Sequence, residues 1–298
     1  MRIFITGASG FVGTHIVNNL VKAGHSVRCL VHTHLPSNTT NSIEQFTGDI
    51  LEPSTLLAGA SGCDAIIHLV GIIRPNPKKG ITFARLHIEA SKNIIQTAQL
   101  AGIKRYLHMS ANGVGANSNR GEYLRTKEEA EALVRKSNLE WTIFRPSLII
   151  GQGGDFTRLL HQQVQRLPTV PVIGDGNYKL MPVAVEDIAQ GFTKALTQRD
   201  AIGQTYQCCG PSCYTYNELI DLFATSVDKA KVRKVHVPLP LIQPTTKIMQ
   251  RFSTFPITSE QITMLLGGNT CKDKSSWYNK LGLTATPLLD SIKKALGK

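Results

Sequence analysis

The chain has 298 residues, 42% of them hydrophobic and 18% charged, and its formal net charge is +12. This composition is typical of a soluble globular protein, and the length allows one large domain or two coupled ones. Apolar runs extend over only several residues, which argues against a transmembrane helix. The chain enters a strand without a charged leader or cleavage site, so we expect no signal peptide.

The first predicted element is a strand that runs into a glycine-spaced turn. Gly7 permits a tight turn, Gly10 lets the backbone approach a pyrophosphate, and Gly13 lets the next helix pack close to the strand. The phosphates would then lie on free backbone amides at the N-terminus of that helix. We predict that this turn binds the cofactor through Gly7, Ser9, Gly10, Phe11, Val12 and Gly13.

The elements after the turn complete a βαβ unit. Val12, Ile16 and Leu20 form an apolar helical stripe, Gly24 ends the helix, and residues 26–31 predict a second buried strand. A structural glycine turn without a ligand is the alternative, and the surrounding unit of about 30 residues disfavours it.

The end of the second strand indicates which nicotinamide cofactor is bound. A carboxylate at this position binds the adenosine ribose hydroxyls and favours NAD. Here the segment reads His32-Thr33-His34, and no acidic residue follows before Glu44. No carboxylate would therefore repel the 2′-phosphate of NADP(H), and His32 and Thr33 could bind that phosphate. We predict NADP(H), with NAD(H) as the second choice; the alternative is that the histidines are surface loop residues.

Two further strand ends should border the same cofactor, because ligands of such sheets bind at the carboxyl ends of the strands. Asp49 and Ile50 follow a predicted strand and could cover the adenine by a hydrogen bond and packing. Gly71 ends the next apolar strand, where a side chain would collide with the cofactor. Leu69 and Val70 belong to the same predicted cofactor contact.

A charged helix predicted over residues 123–137 carries the second motif. Tyr123 and Lys127 lie four residues apart on one helix face. A lysine ammonium near a phenol favours the phenolate, which makes the phenol a usable proton donor or acceptor near neutral pH. Lys127 could also bind the nicotinamide ribose, and Ser110, at the end of the preceding strand, could hydrogen-bond the reacting carbonyl. We predict Ser110, Tyr123 and Lys127 as catalytic residues, against the alternative of an ordinary helix-face pair.

Strands and helices alternate with short connections through the first half of the chain. This pattern predicts an α/β fold with a doubly wound parallel sheet of the Rossmann type. We predict a dinucleotide-binding domain over residues 1–150 and a smaller C-terminal substrate domain over 151–298, of which about 183–210 packs back on the first. The proline-rich segment 235–244 predicts an ordered loop or the entry to a helix.

Arg145 and Pro146 end a further predicted strand of the first domain, next to the cleft. Pro146 is therefore included among the predicted cofactor-binding residues, and Arg145 could form a wall of the cleft. A simple strand terminator is an equally good interpretation of the pair.

The six cysteines are scattered, and no C-x-x-C occurs. We therefore expect neither a disulfide framework nor a zinc site, and we predict no bound metal. A reducing cytosol fits this pattern best. The adjacent Cys208 and Cys209 are interpreted as buried packing.

The positive charge is concentrated at the end of the chain. Residues 228–298 contain twelve basic and four acidic residues, a net charge of +8. Such a region suggests an anionic partner, for example a membrane surface, an acidic protein or a phosphorylated ligand, with a solvated basic face as the alternative. No nucleic-acid motif accompanies it. We expect a cytoplasmic protein, with contact to the inner face of a membrane left open.

Together these residues resemble the extended and atypical short-chain dehydrogenases/reductases, the NAD-dependent epimerase/dehydratase superfamily. The matching segments, in the family's order, are residues 6–13, 48–49, Ser110, Tyr123 with Lys127, 145–147 and 185–189. Residues 68–74, 107–111 and 142–147 resemble in particular the group around the nucleotide-binding accessory subunit of respiratory complex I. Two features depart from the sugar-nucleotide epimerases among the extended members. Ser110 precedes Tyr123 by a shorter interval than is usual in extended members, and His87 stands where the epimerases tend to carry an asparagine.

The resemblance implies bound NADP(H), a monomer or homodimer, and Ser/Tyr/Lys catalysis of hydride transfer on a carbonyl or alcohol substrate. Arg74, Lys78 and Lys79 could line a pocket for an anionic or quinone-like substrate, although a solvated loop is the alternative. Atypical members often bind the cofactor without known turnover, so a structural or assembly protein of a membrane system is a second hypothesis. A nucleotide-sugar epimerase or dehydratase is a third.

Overall fold

The computed structural model describes residues 1–32, 42–115, 121–229, 231–240, 259–273 and 276–297, without the side chains of residues 259–261. Thr33, one of the predicted cofactor residues, lies outside this part of the chain, as does His34. So do Lys247, Arg251, Lys274 and Lys298 of the basic region.

The strands, in chain order, are β1 (Arg2–Thr6), β2 (Ser26–Val31), β3 (Ile43–Thr47), β4 (Ala65–His68), β5 (Arg105–Met109), β6 (Glu140–Pro146), β7 (Ile149–Ile150), β8 (Thr169–Ile173), β9 (Lys179–Leu180), β10 (Val183–Ala184), β11 (Gln204–Cys208), β12 (Tyr214–Thr215) and β13 (Arg233–Val237). The helices are α1 (Phe11–Lys22), α2 (Pro53–Ala60), α3 (Ala90–Leu100), α4 (Gly121–Lys136), α5 (Asp155–Arg166), α6 (Val185–Thr197), α7 (Tyr216–Ser226), α8 (Ser259–Leu266), α9 (Ser276–Leu281) and α10 (Leu288–Ala295).

These elements form two compact units. The first contains Met1–Pro146, Asp187–Cys208 and Ser275–Thr284, and the second contains Ser147–Glu186, Cys209–Lys274 and Ala285–Lys298.

The first unit is built on a parallel sheet with the order β3-β2-β1-β4-β5-β6-β11. The apolar runs in its central strands account for this arrangement, because a parallel strand is covered on both faces; Ile3, Phe4 and Ile5 of β1 have no exposed surface. The order reverses between β1 and β4, where Thr6 pairs with His68. The predicted doubly wound α/β fold is confirmed, and this switch point is where such sheets bind their ligands.

The helical segment that precedes β5 has two parts. Ala84–Glu89 form a π-helical segment that leads directly into α3. One extra residue per turn displaces the side chains of such a segment from the regular helical register, and π-helical segments are common at functional sites. His87 belongs to this segment and is buried.

The second unit has its own core, in which β8 pairs in parallel with β13. Buried side chains of α5, α7 and α10 form that core with the strands, among them Leu160, Phe223 and Ile292. The expectation of a loop or helix entry over residues 235–244 is wrong for 235–237, which belong to β13. Pairing with β8 supplies the backbone partners, and the first proline follows the strand rather than interrupting it.

A disulfide joins Cys209 and Cys271 within the second unit. The expectation that the cysteines form no disulfide is therefore wrong for this pair, because the fold brings together two residues that are 62 positions apart. Cys208 is free and buried. Among the helices that the structure describes, none combines the length and the apolar character needed to span a bilayer.

Candidate functional site

The glycine turn lies at the carboxyl end of β1, and its close contacts require glycine. Gly7 has a φ of +78°, and a Cβ at this position would lie 3.0 Å from the backbone of Leu69 and Val70. A Cβ at Gly13 would lie 2.2 Å from the carbonyl oxygen of Gly7. The amide of Gly10 donates to the same oxygen, at 3.1 Å. The turn is therefore tight, and it has no space for side chains at Gly7 and Gly13. A ligand can approach its backbone because glycines stand at these positions.

The N-terminus of α1 continues this turn. Gly10 is the N-cap, no side chain caps the helix, and its first turn contains no acidic residue. Ser9 and Gly10 are exposed, whereas Val12 is buried under the sheet. Free amides at the positive end of the helix dipole fit an anionic phosphate. The residues present therefore fit a dinucleotide pyrophosphate, as the sequence predicts.

His32 and Asp49 approach each other at the ends of β2 and β3. The His32 side chain is 79% exposed, and its Nε2 lies 3.5 Å from an Asp49 carboxylate oxygen. The other carboxylate oxygen of Asp49 accepts a hydrogen bond from the amide of Leu51 at 2.9 Å. A carboxylate therefore borders the predicted adenosine position after all, contributed by the third strand rather than the second. Sequence reasoning assigned Asp49 to the adenine and did not foresee its contact with His32.

The end of β4 lies against the predicted catalytic lysine. A Cβ at Gly71 would lie 2.8 Å from the Nζ of Lys127. A side chain at Gly71 is predicted to collide with the cofactor; in the structure its Cβ would also displace the Lys127 ammonium. Leu69 is buried and its amide donates to the carbonyl of Thr6 at 3.0 Å. The β1 turn and the β4 end are thus joined by backbone contacts.

The structure brings Ser110, Tyr123 and Lys127 to one edge of the sheet. The Nζ of Lys127 donates to the carbonyl of Met109 at 3.1 Å, one residue before Ser110. All three side chains are buried. The Ser110 hydroxyl makes no hydrogen bond of normal geometry, and the Tyr123 ring contacts the ring of His87 edge to face at 5.4 Å. A buried hydroxyl without a regular hydrogen-bond partner in the protein is suited to hydrogen-bond a ligand.

Three buried histidines surround this lysine and were not predicted as part of the site. His87 contacts Thr126 through Nδ1 at 2.8 Å, and burial, with the charge of Lys127, lowers the pKa of His87 to about 3. Burial also lowers the pKa of His68 and of His108 well below the usual value, with Lys127 contributing to both. The histidines are therefore neutral at physiological pH. His68 and His108 lie near the carboxyl ends of otherwise mostly apolar strands, and this position was the signal in the sequence that could have indicated two of them.

A buried carboxylate, Glu131, lies one helical turn after Lys127. Arg145 binds it through two hydrogen bonds of 2.8 and 2.7 Å, and Arg135 adds one of 2.7 Å. Burial alone would raise the pKa of Glu131, but the hydrogen bonds and charge of Arg145, with the hydrogen bond of Arg135, outweigh burial and lower that pKa. Arg145 thus contacts a buried carboxylate of its own unit, a role that the sequence did not indicate.

The remaining predicted positions are placed as follows. Ile50 is buried and its carbonyl accepts a hydrogen bond from Asn93 at 3.0 Å. Pro146 ends β6, and its carbonyl accepts from the amide of Asn112 at 2.8 Å. Lys78 is exposed in a short 3₁₀ turn. No cluster of metal-ligating side chains is present among the residues that the structure describes.

A family model described as NAD(P)H-binding matches residues 7–199 of the chain. The chain belongs to this NAD(P)H-binding family. The matched region begins at the glycine turn and extends through α6, so it includes every element that carries the site described above.

Two relatives with similar identity to this chain are named for different functions. The 40 kDa subunit of mitochondrial NADH-ubiquinone oxidoreductase from Neurospora crassa is 27% identical over 264 residues, covering 86% of this chain and 68% of that protein. The ceramide reductase of Caulobacter vibrioides is 28% identical over 260 residues, covering 86% of this chain and 80% of that protein. The chain thus spans about two thirds of the fungal subunit, and the resemblance to the complex I accessory group is confirmed.

A solved structure shows the same fold over nearly the whole length. UDP-glucuronic acid 4-epimerase from Bacillus cereus, in complex with UDP-glucuronic acid and NAD, superposes with a TM-score of 0.76. The two chains are 19% identical, and the match covers 100% of this chain and 98% of the other. The likeness shows that the two proteins share a fold.

Replacement of Gly13 by alanine tests the glycine turn. The added methyl group would lie 2.2 Å from the Gly7 carbonyl oxygen, so the turn has to shift. Overpacking of this kind costs about 1–3 kcal/mol, and we expect NADPH and NADH affinity to fall by about 5- to 150-fold. Calorimetric titration measures the loss.

Gly267→Ala is the matched control, because a Cβ there has no contact shorter than 3.4 Å. Its affinity for the cofactors should equal that of the wild type. Unchanged binding in a folded Gly13→Ala variant would contradict the assignment of the turn to the pyrophosphate.

Proposed function

We propose that the protein is an NAD(P)H-dependent oxidoreductase that transfers hydride to or from a carbonyl or alcohol substrate. The observation that supports it best is the buried Lys127, which lies against Gly71 and the Met109 carbonyl in an NAD(P)H-binding unit. Tyr123 stands one helical turn before this lysine, and Ser110 follows Met109 directly. When bound, the nicotinamide ring supplies or accepts the hydride.

The cofactor is assigned to the carboxyl edge of the first unit's sheet. In this proposal the amides of residues 11–13, at the start of α1, hold the pyrophosphate, and Asp49 with Ile50 borders the adenine. Gly71 gives the nicotinamide half access to the strand end, because it carries no side chain. The proposed contacts comprise Gly7, Ser9, Gly10, Phe11, Val12, Gly13, His32, Thr33, Asp49, Ile50, Leu69, Val70, Gly71, Lys127 and Pro146.

The proton transfer is assigned to Tyr123. Its phenol donates a proton to the substrate oxygen during reduction and removes one during oxidation. The ammonium of Lys127, buried with it, stabilises the negative charge that develops on the phenol oxygen. The Ser110 hydroxyl lacks an internal hydrogen bond of normal geometry, so it can orient the substrate oxygen. Water is excluded because all three side chains are buried.

Replacement of Tyr123 by phenylalanine tests this role. We expect turnover of any reactive aldehyde, ketone or quinone to fall by about 100-fold or more, since general acid–base catalysis contributes about that factor. NADPH affinity should be unchanged, because the ring remains. The rate is followed as loss of reduced nicotinamide absorbance, and binding by calorimetry.

Tyr206→Phe is the control for this experiment, as it removes a phenol oxygen from β11 of the same unit. It should retain full activity. A fully active Tyr123→Phe enzyme would exclude the proposed proton transfer.

NADP(H) is proposed over NAD(H) because His32 follows β2 where a carboxylate would favour NAD. The exposed His32 can donate a hydrogen bond to a 2′-phosphate. Asp49 is the opposing feature, since its carboxylate lies 3.5 Å from His32 and could accept from ribose hydroxyls instead.

His32→Ala separates the two cofactors. We expect the variant to lose about fivefold in NADPH affinity, equivalent to ~1 kcal/mol for an exposed charged contact, and to bind NADH as before. Asp49→Asn should strengthen NADPH binding, because a carboxylate is removed. Tighter binding of NADH than of NADPH by the wild type, with neither variant altering the ratio, would refute the preference.

A cofactor-bound assembly protein of a complex-I-like membrane system is the second candidate. The Neurospora relative favours it, together with the net charge of +8 over residues 228–298. Some of that charge is already engaged: Lys229 donates to carbonyls at the end of α5, and Lys234 pairs with Asp221. Salt-sensitive cosedimentation with anionic vesicles, without turnover of any carbonyl compound, would favour this candidate. Retention of oxidised NAD without net consumption would instead favour an epimerase or dehydratase.

A further inference from the structure

Glu131 is a fully buried carboxylate on the same face of α4 as Lys127. It has no exposed surface, and it follows Lys127 by four residues, which places the two side chains one above the other on the helix. A buried carboxylate is costly unless it is paired and hydrogen-bonded. A carboxylate retained at this depth, beside a buried ammonium, calls for an explanation in terms of the site.

The groups around Lys127 leave its positive charge poorly compensated without Glu131. His68 on β4, His87 on the π-helical segment and His108 on β5 all face it, and burial keeps each of them neutral. Burial lowers the pKa of Lys127 to about 8, and Glu131 is the group that raises it. Two further neighbours, the Met109 carbonyl and Gly71, carry no charge, and the guanidinium groups of Arg145 and Arg135 are bound to Glu131.

The partners of Glu131 fix the position of its charge. Arg145 binds both carboxylate oxygens in a bidentate arrangement, and it comes from β6, next to β5 in the sheet. Arg135 is one turn further along α4 and is itself held by the Thr205 hydroxyl at 3.0 Å. Bidentate pairing restricts rotation of the carboxylate, so its distance from the lysine cannot relax.

We propose that Glu131 is a positioning residue of this site, whose buried carboxylate holds the positive charge on Lys127. Through Arg145 it also ties α4 to β6, whose Phe144 carbonyl accepts a hydrogen bond from the Ser110 amide at 2.7 Å. The proposal deepens the proposed function, because it concerns the charge that acts on Tyr123, and it rests on that function for its catalytic consequence. The alternative is a purely structural ion pair that ties α4 to β6 and leaves Lys127 unaffected.

The charge on Lys127 can be measured in the full-length, cofactor-free protein. Lysine labelled with ¹³C at the ε-carbon reports the titration of each ammonium by NMR, and Lys127→Arg identifies the resonance of Lys127. In the wild type we expect a midpoint near pH 8. Glu131→Gln removes an opposite charge close by, so the midpoint should fall by about one pH unit or more.

Three variants accompany this measurement. Glu129→Gln is the matched control, since Glu129 lies on the same helix and pairs with Arg125 at the surface; its Lys127 midpoint should equal the wild type. Glu131→Asp keeps the carboxylate charge, so its Lys127 midpoint should lie close to that of the wild type. If Glu131→Gln does not fold, the double variant Glu131→Gln with Arg145→Met removes both charges of the buried pair. The midpoint should then fall by less than in Glu131→Gln, because the lost guanidinium partly offsets the lost carboxylate, but it should stay below the wild type, since Glu131 is the group that raises the pKa of Lys127.

The catalytic consequence is read from the pH profile of kcat/KM. Activity that needs the ammonium is lost as pH rises through the Lys127 midpoint, so the alkaline limb should move to lower pH in Glu131→Gln by the same amount as the NMR midpoint. The Glu129→Gln profile should overlay that of the wild type.

The outcomes separate this inference from the proposed function. An unchanged Lys127 midpoint in folded Glu131→Gln, or in the double variant, overturns the inference and leaves only the structural ion pair. A lowered midpoint together with an unshifted activity profile overturns its catalytic part. A lowered midpoint in a protein that turns over no substrate supports the electrostatic role of Glu131 and counts against the oxidoreductase.

Discussion

The burial of one ammonium group, that of Lys127, is the constraint around which the first unit's site is organised. Taking such a charge out of water is expensive, and the burial is reflected in a pKa lowered to about 8. The chain offsets this cost with the Met109 carbonyl and with the carboxylate of Glu131. It also makes room for the lysine at Gly71, where any side chain would collide with Nζ.

The same constraint links the two motifs of the chain. Gly71 follows β4, and β4 pairs with β1, whose end carries the glycine turn. The amide of Leu69, directly after β4, donates to the carbonyl of Thr6 at 3.0 Å, and this contact fixes the spacing between the glycine turn and the strand end that lies against the lysine. In the proposed cofactor position, a dinucleotide bound at the glycine turn extends across this switch point towards Lys127.

The named relatives do not by themselves decide the function of this chain. One relative is named as a respiratory complex subunit and another as a reductase, at nearly equal identity to this chain. A shared fold supports several functions, so the decision between turnover and assembly depends on the site. The proposed turnover needs Ser110, Tyr123 and Lys127 to act together, whereas a cofactor-bound assembly protein needs Lys127 only to bind the nicotinamide ribose.

The sequence by itself determined what depends on local spacing: the glycine turn, the Tyr123-x-x-x-Lys127 pair, the alternation of strands and helices, and through them the fold and the family. It could not decide environments created by distant segments. The charges at 127, 131 and 135 follow the spacing of an exposed salt-bridged helix face, yet β6 buries Glu131 by supplying Arg145. The disulfide of Cys209 and the pairing of β13 with β8 likewise depend on residues brought together only by folding, because neither contact leaves a periodic signal in the chain.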